Sequence, residues 1–182
     1  MKKPIRITHF LFLLILVCSA SCKDDHTGEN CIDNNPGFNP EPVPEMGSLS
    51  LTFYNNSKIT TRQQDGITYA EITSGDMTVF QYYYTVDPEP MAIDDEYEHV
   101  ILFEVSVGTD EFLLSGNDLD RANAMFGNFC FCSAVGYFPI TSGCIKGQKM
   151  NKGEWHIDIN ILAEIENQHY FSKMLSERFL KR

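Results

Sequence analysis

The chain lacks a hydrophobic run long enough to cross a bilayer near its start. The apolar stretch at residues 10–17 is only eight residues long, whereas a transmembrane helix needs roughly 20. Eight residues suit the hydrophobic region of a removable signal peptide. We therefore predict that residues 1–21 are cleaved from an exported protein.

Basic residues are scarce. The chain holds 14 Lys and Arg against 25 Asp and Glu, and Lys2, Lys3 and Arg6 belong to the predicted signal peptide. Removal of that peptide leaves 11 basic and 25 acidic residues, a net charge of −14. A surface this negative repels phosphate backbones and anionic lipid head groups, so we expect no nucleic-acid partner.

Catalytic motifs are also missing. No serine lies in a nucleophile elbow, no glycine-rich loop suits a phosphate, and no histidine and acid stand out by their spacing. The sequence therefore favours a protein that is not an enzyme and has no cofactor. The alternative is a metal-dependent or carboxylate-based hydrolase of the cell envelope, because acidic residues are abundant.

Cys22 directly follows three small residues, which in turn follow the basic and apolar segments. This order resembles the lipobox of Bacteroidetes lipoproteins, although Ser19 stands where leucine is usual. The resemblance covers residues 1–25 and implies a diacylglycerol on the Cys22 thiol. Several acyl chains such as palmitate would then hold the protein in membrane lipid. Soluble export is the alternative.

The residues after Cys22 indicate where the protein is located and how the domain is connected to Cys22. Lys23, Asp24 and Asp25 resemble an export signal of Bacteroidetes lipoproteins, which implies a lipid-anchored protein of the outer membrane, at the cell surface; the periplasmic face is the alternative. Residues 22–47 are rich in proline and acids, a composition that buries too little apolar surface to fold. We predict an extended tether there, followed by one domain over residues 48–182.

Beyond residue 47 the hydrophobic pattern has a period of two, which is typical of half-buried strands. It is clear at residues 49–53, 77–86, 99–107 and 155–165. The third of these is apolar on both faces, which predicts a central strand, and the last has one polar face that should meet water. Roughly seven to nine short strands predict an all-β, antiparallel β-sandwich, with a flattened β-barrel as the alternative.

Turn residues predict two hairpins. Ser74, Gly75 and Asp76 separate the strand at residues 67–73 from the one that begins at Met77. Asn151, Lys152 and Gly153 likewise separate residues 142–149 from the strand that begins at Trp155.

One or two short helices complete the predicted fold. Asn117 or Asp118 can cap a helix that runs through Phe126. Residues 170–182 fit a helical stripe better than a strand, because a strand would place Lys173 on the same face as its apolar residues.

Four cysteines remain besides the predicted lipid carrier, and export favours disulfides. Cys130 and Cys132 project from one face of a predicted strand, so a bond between them would be strained. We expect one of them to pair with Cys144 and the other with Cys31. The alternative is a zinc or copper site of the last three cysteines, with His156 as a fourth ligand.

Three consecutive tyrosines, Tyr82, Tyr83 and Tyr84, cannot all face one side of a strand. At least one ring should lie near solvent, where it can stack on a sugar or contact a partner chain. Aromatic residues are also simply common in strands. Together with the anchor, these rings predict a surface-exposed binding module for a glycan, protein or envelope component.

Two sets of polar residues are candidates for a cation-binding site. His156, Asp158 and Asn160 share the polar face of one strand, although alternation alone requires polar residues there. An acidic segment carries carboxylates that suit calcium, but it has no glycine at the spacing of a calcium loop, which favours a solvated loop. Its members are Asp87, Glu89, Asp94, Asp95, Glu96 and Glu98.

Overall fold

The computed structural model describes residues 31, 47–86, 97–166 and 169–182. An all-β domain is confirmed, because most of these residues lie in strands and the described ranges contain one short helix. The predicted signal peptide, Cys22 and most of the tether lie outside the described residues. The elements are β1 (Ser48–Gln64), β2 (Ile67–Ser74), β3 (Met77–Thr85), β4 (Tyr97–Ser106), β5 (Glu111–Ser115), α1 (Asn117–Arg121), β6 (Met125–Cys130), β7 (Gly136–Asn151), β8 (Glu154–Glu166) and β9 (His169–Lys181).

The nine strands form a single sheet in the order β2-β1-β3-β4-β6-β7-β8-β9, with β5 paired to β7. Neighbours are antiparallel except where β9 meets β1 in a short parallel pairing at Thr52 and Leu180, so the sheet is mixed rather than purely antiparallel. The sheet bends over itself, because Phe80 of β3 lies 5.2 Å from Trp155 of β8, measured between ring centroids. The result is a sandwich-like fold around one main core.

The main core is built from the inward faces of the strands and is rich in aromatic rings. Phe80 stacks on Phe103 with centroids 4.9 Å apart, and Phe126 stacks on Phe171 at 3.7 Å. Trp155 begins the run of inward apolar residues along β8 that the sequence predicted, and Trp155 itself is buried. Burial of these large side chains supplies most of the apolar area that stabilises the domain.

A second, smaller core covers the outer face of β3, β4 and β6. The pairing of β1 with β3 shifts register between Tyr54 and Ser57, and Asn56 there has a φ of +52°. This bulge turns the second half of β1, together with β2, onto that outer face. The buried residues of this second core are Ile59, Val79, Val100, Leu102 and Met125. Both faces of β4 are therefore covered, as predicted for the central strand.

The predicted hairpin across residues 74–76 is wrong, whereas the hairpin between β7 and β8 is confirmed. β2 pairs with β1 and not with β3. The 17-residue β1 is long enough to pair with β3 along its first half and with β2 along its second. β1 therefore lies between the two strands that the turn residues connect.

The predicted internal helix is present but shorter than expected. α1 ends at Arg121, and its N-cap is Gly116 rather than Asn117 or Asp118. Met125 and Phe126 belong instead to β6, where alternation sends Met125 into the second core and Phe126 into the main core. Both residues are buried, which is why their spacing also suited a helix.

The predicted C-terminal helix is wrong, because residues 169–181 form strand β9. Lys173 does share the inward face with Phe171 and Phe179, and it is buried. Its ammonium nitrogen lies 5.3 Å from the centre of the Tyr82 ring. An aromatic face attracts a cation, which makes an inward lysine acceptable in this strand.

All four cysteines form disulfides, but not in the expected pairs: Cys31 joins Cys144, and Cys130 joins Cys132. Pairing of β6 with β7 places Asn128 opposite Gly136, so Cys144 lies about 25 Å further along β7, beyond disulfide reach of Cys130. Cys132 lies past the end of β6, where strand alternation no longer applies. The alternative metal site is also wrong, because Cys144 is bonded to Cys31.

Candidate functional site

The three tyrosines of β3 do not form one exposed platform. Tyr82 and Tyr84 face the main core, with 1% and 2% of their surface exposed, and burial raises the pKa of Tyr82. Tyr83 lies on the opposite face and is half-buried. Desolvation and a hydrogen bond with Glu98 raise the pKa of Tyr83 to about 12. Tyr83 packs against the second core, so of the three rings only that of Tyr83 is partly accessible from outside the domain.

The polar face of β8 is less wet than its alternation indicated. Asn160 is buried, and its amide donates to the backbone oxygen of Cys31 at 2.9 Å. His156 and Asp158 remain closer to the surface beside Ser176 of β9. The Ser176 hydroxyl donates to Asp158 Oδ1 at 2.7 Å and lies 3.1 Å from His156 Nε2.

These three side chains do not have the geometry of a catalytic triad. Asp158 Oδ1 lies 3.3 Å from the same Nε2 atom that contacts Ser176. In a triad the acid holds Nδ1 so that Nε2 is left to take the serine proton. Among the described ranges no group of three or more His, Cys, Asp or Glu residues is arranged to hold a metal ion. The acids at positions 87–96 lie outside those ranges.

A cleft of about 510 Å³ lies between α1 and the hairpin of β1 and β2, and we call it the α1 cleft. Its volume is within the range of small-molecule sites. Amide, hydroxyl and carboxylate groups provide its polar lining, and none of its described lining residues is cationic. The polar lining residues are Thr61, Thr68, Asn117, Asp120, Asn123 and Thr141.

Local backbone geometry positions this lining. Gly116, with a φ of +51°, begins α1, and the spacing of three residues places Asn117 and Asp120 on one side of the helix. Asn123 follows with a φ of +46°, and its amide donates to Glu104 Oε1 at 2.5 Å. Glu104 thus holds one wall of the α1 cleft.

The same carboxylate holds the opposite wall. Glu104 Oε2 accepts the backbone N–H of Ile59 in β1 at 2.8 Å. Glu104 is buried, and its two oxygens join the turn after α1 to the hairpin that supplies Thr61. By contrast, no hydrogen bond within the described part of the chain engages the side chains of Asn117 and Asp120, so both remain able to bind a ligand.

Sequence patterns did not reveal the α1 cleft. Asn117 was considered only as a helix cap, and Thr61 is far from it in the chain. The available signal was the cluster of Asn and Asp residues from 117 to 123, which is a polar insertion between two apolar strands. The site exists only because the β1 bulge brings the hairpin over α1.

No family model, curated protein or solved structure matches this chain. None of the helices in the described ranges is both long and apolar enough to cross a membrane.

Proposed function

We propose that this protein is an exported, lipid-anchored binding module of the outer membrane, displayed at the cell surface. Its α1 cleft takes a neutral ligand rich in hydroxyl groups, such as a glycan. The observation that carries the proposal is the lining of that cleft. The amides, the hydroxyls and the carboxylate of Asp120 are donors and acceptors that pair with sugar hydroxyls. Among the described lining residues there is no cation that would favour an anionic ligand.

Export is supported by the cysteines. Two disulfides indicate an oxidising compartment, which agrees with the lipobox-like segment at Cys22. The bond between Cys31 and Cys144 also shortens the tether. Only eight residues, 23–30, separate Cys22 from Cys31, and nine extended steps reach at most about 30 Å. The anchored domain therefore stays close to the membrane.

The ligand proposal is tested by screening the full-length, detergent-solubilised protein against a panel of neutral oligosaccharides and measuring Kd for those that bind. Asp120→Asn replaces one acceptor oxygen by a donor, and Asn117→Ala removes an amide, so we expect Kd to rise about tenfold in each. Asp118→Asn is the matched control, because Asp118 is in the same helix but pairs with Arg121. Absence of binding across the panel would overturn the proposal, as would an equal Kd in all three variants.

The anchor is tested separately by the intact mass of protein extracted from membranes. We expect a chain that begins at Cys22 and carries diacylglycerol and an amide-linked acyl chain, and we expect Cys22→Ser to abolish the mass increase. Digestion of intact cells with added protease should remove the domain if it is at the surface. An unmodified cysteine, or full protection in intact cells, would contradict the anchor or the surface location respectively.

A further inference from the structure

The two disulfides occupy opposite environments. Cys31 is 1% exposed, and its backbone oxygen is bound by the buried Asn160. Cys130 is the last residue of β6 and is half-buried, whereas Cys132 is exposed in the bend that follows. Phe131 between them is 84% exposed, the largest exposed fraction among the bulky apolar side chains that the structure describes.

The Cys130–Cys132 bond contributes little to holding the fold together. Its cysteines are separated by two positions, against 113 for Cys31 and Cys144. A cross-link stabilises by removing chain entropy from the unfolded state, and this effect grows with the length of the closed loop. Exposed disulfides are, in addition, the ones that thiolates reach and reduce.

Asn128 supports both sulfur atoms of this bond. Its amide nitrogen lies 3.4 Å from Cys130 Sγ and 3.5 Å from Cys132 Sγ. The same nitrogen donates to the backbone oxygen of Ala134 at 2.7 Å, which fixes the amide beneath the bend. A fixed donor of this kind stabilises a thiolate that forms when the disulfide opens.

We propose that Cys130–Cys132 is a thiol–disulfide exchange site that oxidises a dithiol in a peptide or protein. A thiolate of the partner attacks the exposed Cys132 Sγ, and the Cys130–Cys132 bond breaks. Cys130 leaves as a thiolate beside Asn128 and takes up a proton. The partner's second thiolate then attacks the partner sulfur of the mixed disulfide and releases Cys132, which is protonated in turn.

The exchange is balanced without any other reactant. The partner loses two electrons and two protons and gains a disulfide, and Cys130 and Cys132 gain the same two electrons and two protons. Phe131 precedes Cys132 in the chain and is exposed, so it is available for apolar contact with a peptide partner. This assignment does not depend on the ligand of the α1 cleft.

The first test compares the two disulfides in the native, full-length protein. The protein is incubated in glutathione redox buffers, thiols are trapped by alkylation, and each cysteine pair is followed by peptide mass spectrometry. We expect Cys130–Cys132 to be reduced at least about tenfold faster than Cys31–Cys144. Equal rates, or a Cys130–Cys132 bond that stays oxidised until the protein unfolds, would overturn the proposal.

The second test measures the reaction itself. Without oxygen, one equivalent of protein should oxidise about one equivalent of a synthetic peptide containing two reduced cysteines. Cys130→Ser combined with Cys132→Ser should abolish this reaction and leave the Trp155 fluorescence of the folded domain unchanged. Equal peptide oxidation by the double variant, or none by the native protein, would show that the bond is not an exchange site.

Two single variants separate the supporting roles. Asn128→Ala should lower the rate severalfold with both glutathione and the peptide, because Cys130 leaves as a thiolate in every exchange. It should also raise the pKa of the Cys130 thiol in the reduced protein, measured by the pH dependence of its alkylation. Phe131→Ala should slow exchange with the peptide but leave the rate with glutathione unchanged, because glutathione has no bulky apolar side chain that could contact Phe131. An unchanged pH dependence of Cys130 alkylation in Asn128→Ala would remove the role of Asn128. If Phe131→Ala slowed the reactions with glutathione and with the peptide equally, the role of Phe131 would be removed.

Discussion

At the scale of single residues, Glu104 is the polar group on which the second core and the α1 cleft both depend. It accepts the N–H of Ile59 and the amide of Asn123 from a buried position. Glu104→Ala should lower the free energy of unfolding by about 3 kcal/mol, because both donors then lose a charged acceptor. Urea unfolding followed by Trp155 fluorescence measures this loss.

Glu71 provides the control for that substitution. It forms an ion pair with Arg62, in which both side chains are more than half exposed, and exposed pairs contribute little. Glu71→Ala should therefore change stability by less than about 0.5 kcal/mol. A comparable loss in both variants would show that Glu104 is not a specific support of the hairpin.

His99 gives the domain a pH-dependent stability. Burial, followed by the charge of Lys173, lowers the pKa of His99 from 6.5 to about 4. The unfolded chain binds more protons between these values, so stability should rise as pH increases from about 4 to 6.5. Partial exposure of the ring limits the effect to about 2 kcal/mol.

His99→Gln tests this assignment by urea unfolding at several pH values. The variant should lack the part of the slope that His99 contributes between pH 4 and 6.5. Lys173→Met should raise the pKa of His99, measured by NMR of its ring, because the neighbouring positive charge is removed. A slope that is unchanged in His99→Gln would contradict the assignment.

At the scale of elements, hydrophobic periodicity predicted the strands that are half-buried or fully buried. β4 and β8 follow from the alternation of their own residues. β9 does not, because Lys173 breaks the apolar face and the Tyr82 ring beneath it belongs to a distant strand. The predicted helix was longer than α1 because β6 contacts two different cores. Consecutive residues of β6 are therefore buried, and their spacing also fits a helix.

The close pairing of β7 with β8 beside the register shift between Ile140 and Ser142 depends on Gly143. Gly143 has a φ of +101°, and a Cβ there would collide with the Asn160 backbone oxygen and lie 2.7 Å from Ile161 Cα in β8. Gly143→Ala should therefore cost about 3 kcal/mol of stability. Gly66 also has a positive φ of +82° but open space around it, so Gly66→Ala should cost about 1 kcal/mol.

Thermal and urea unfolding of the two glycine variants separate the cost of a steric clash with β8 from the cost of a positive φ in a residue other than glycine. Both substitutions place a side chain at a positive φ, but only Gly143 lies against a neighbouring strand. If both variants lost the same free energy of unfolding, close packing of β7 on β8 would not be the reason for glycine at position 143.

At the scale of the whole molecule, two of the features that sequence could not predict join distant segments. The α1 cleft joins Thr61 to Asp120, and the disulfide joins Cys31 to Cys144 across 113 positions. Sequence spacing favoured a local bridge to Cys144 because it cannot measure how far β7 runs past β6. Hydrophobic periodicity, by contrast, was sufficient to predict the all-β class, and the predicted export of the chain was sufficient to predict disulfides, although not their pairing.

The Cys31–Cys144 bond should therefore be the cross-link that stabilises the domain. In the chain-entropy description, closing a loop of 113 positions is worth about 5 kcal/mol, and closing the Cys130–Cys132 loop of two positions about 1 kcal/mol. Replacing Cys31 and Cys144 with serine should lower the urea midpoint far more than replacing Cys130 and Cys132. Asn160 would then also lose the fixed carbonyl that satisfies its buried amide. A larger loss from the Cys130 and Cys132 pair would mean that the small loop supports the fold, and that Cys31 is held by contacts other than its sulfur.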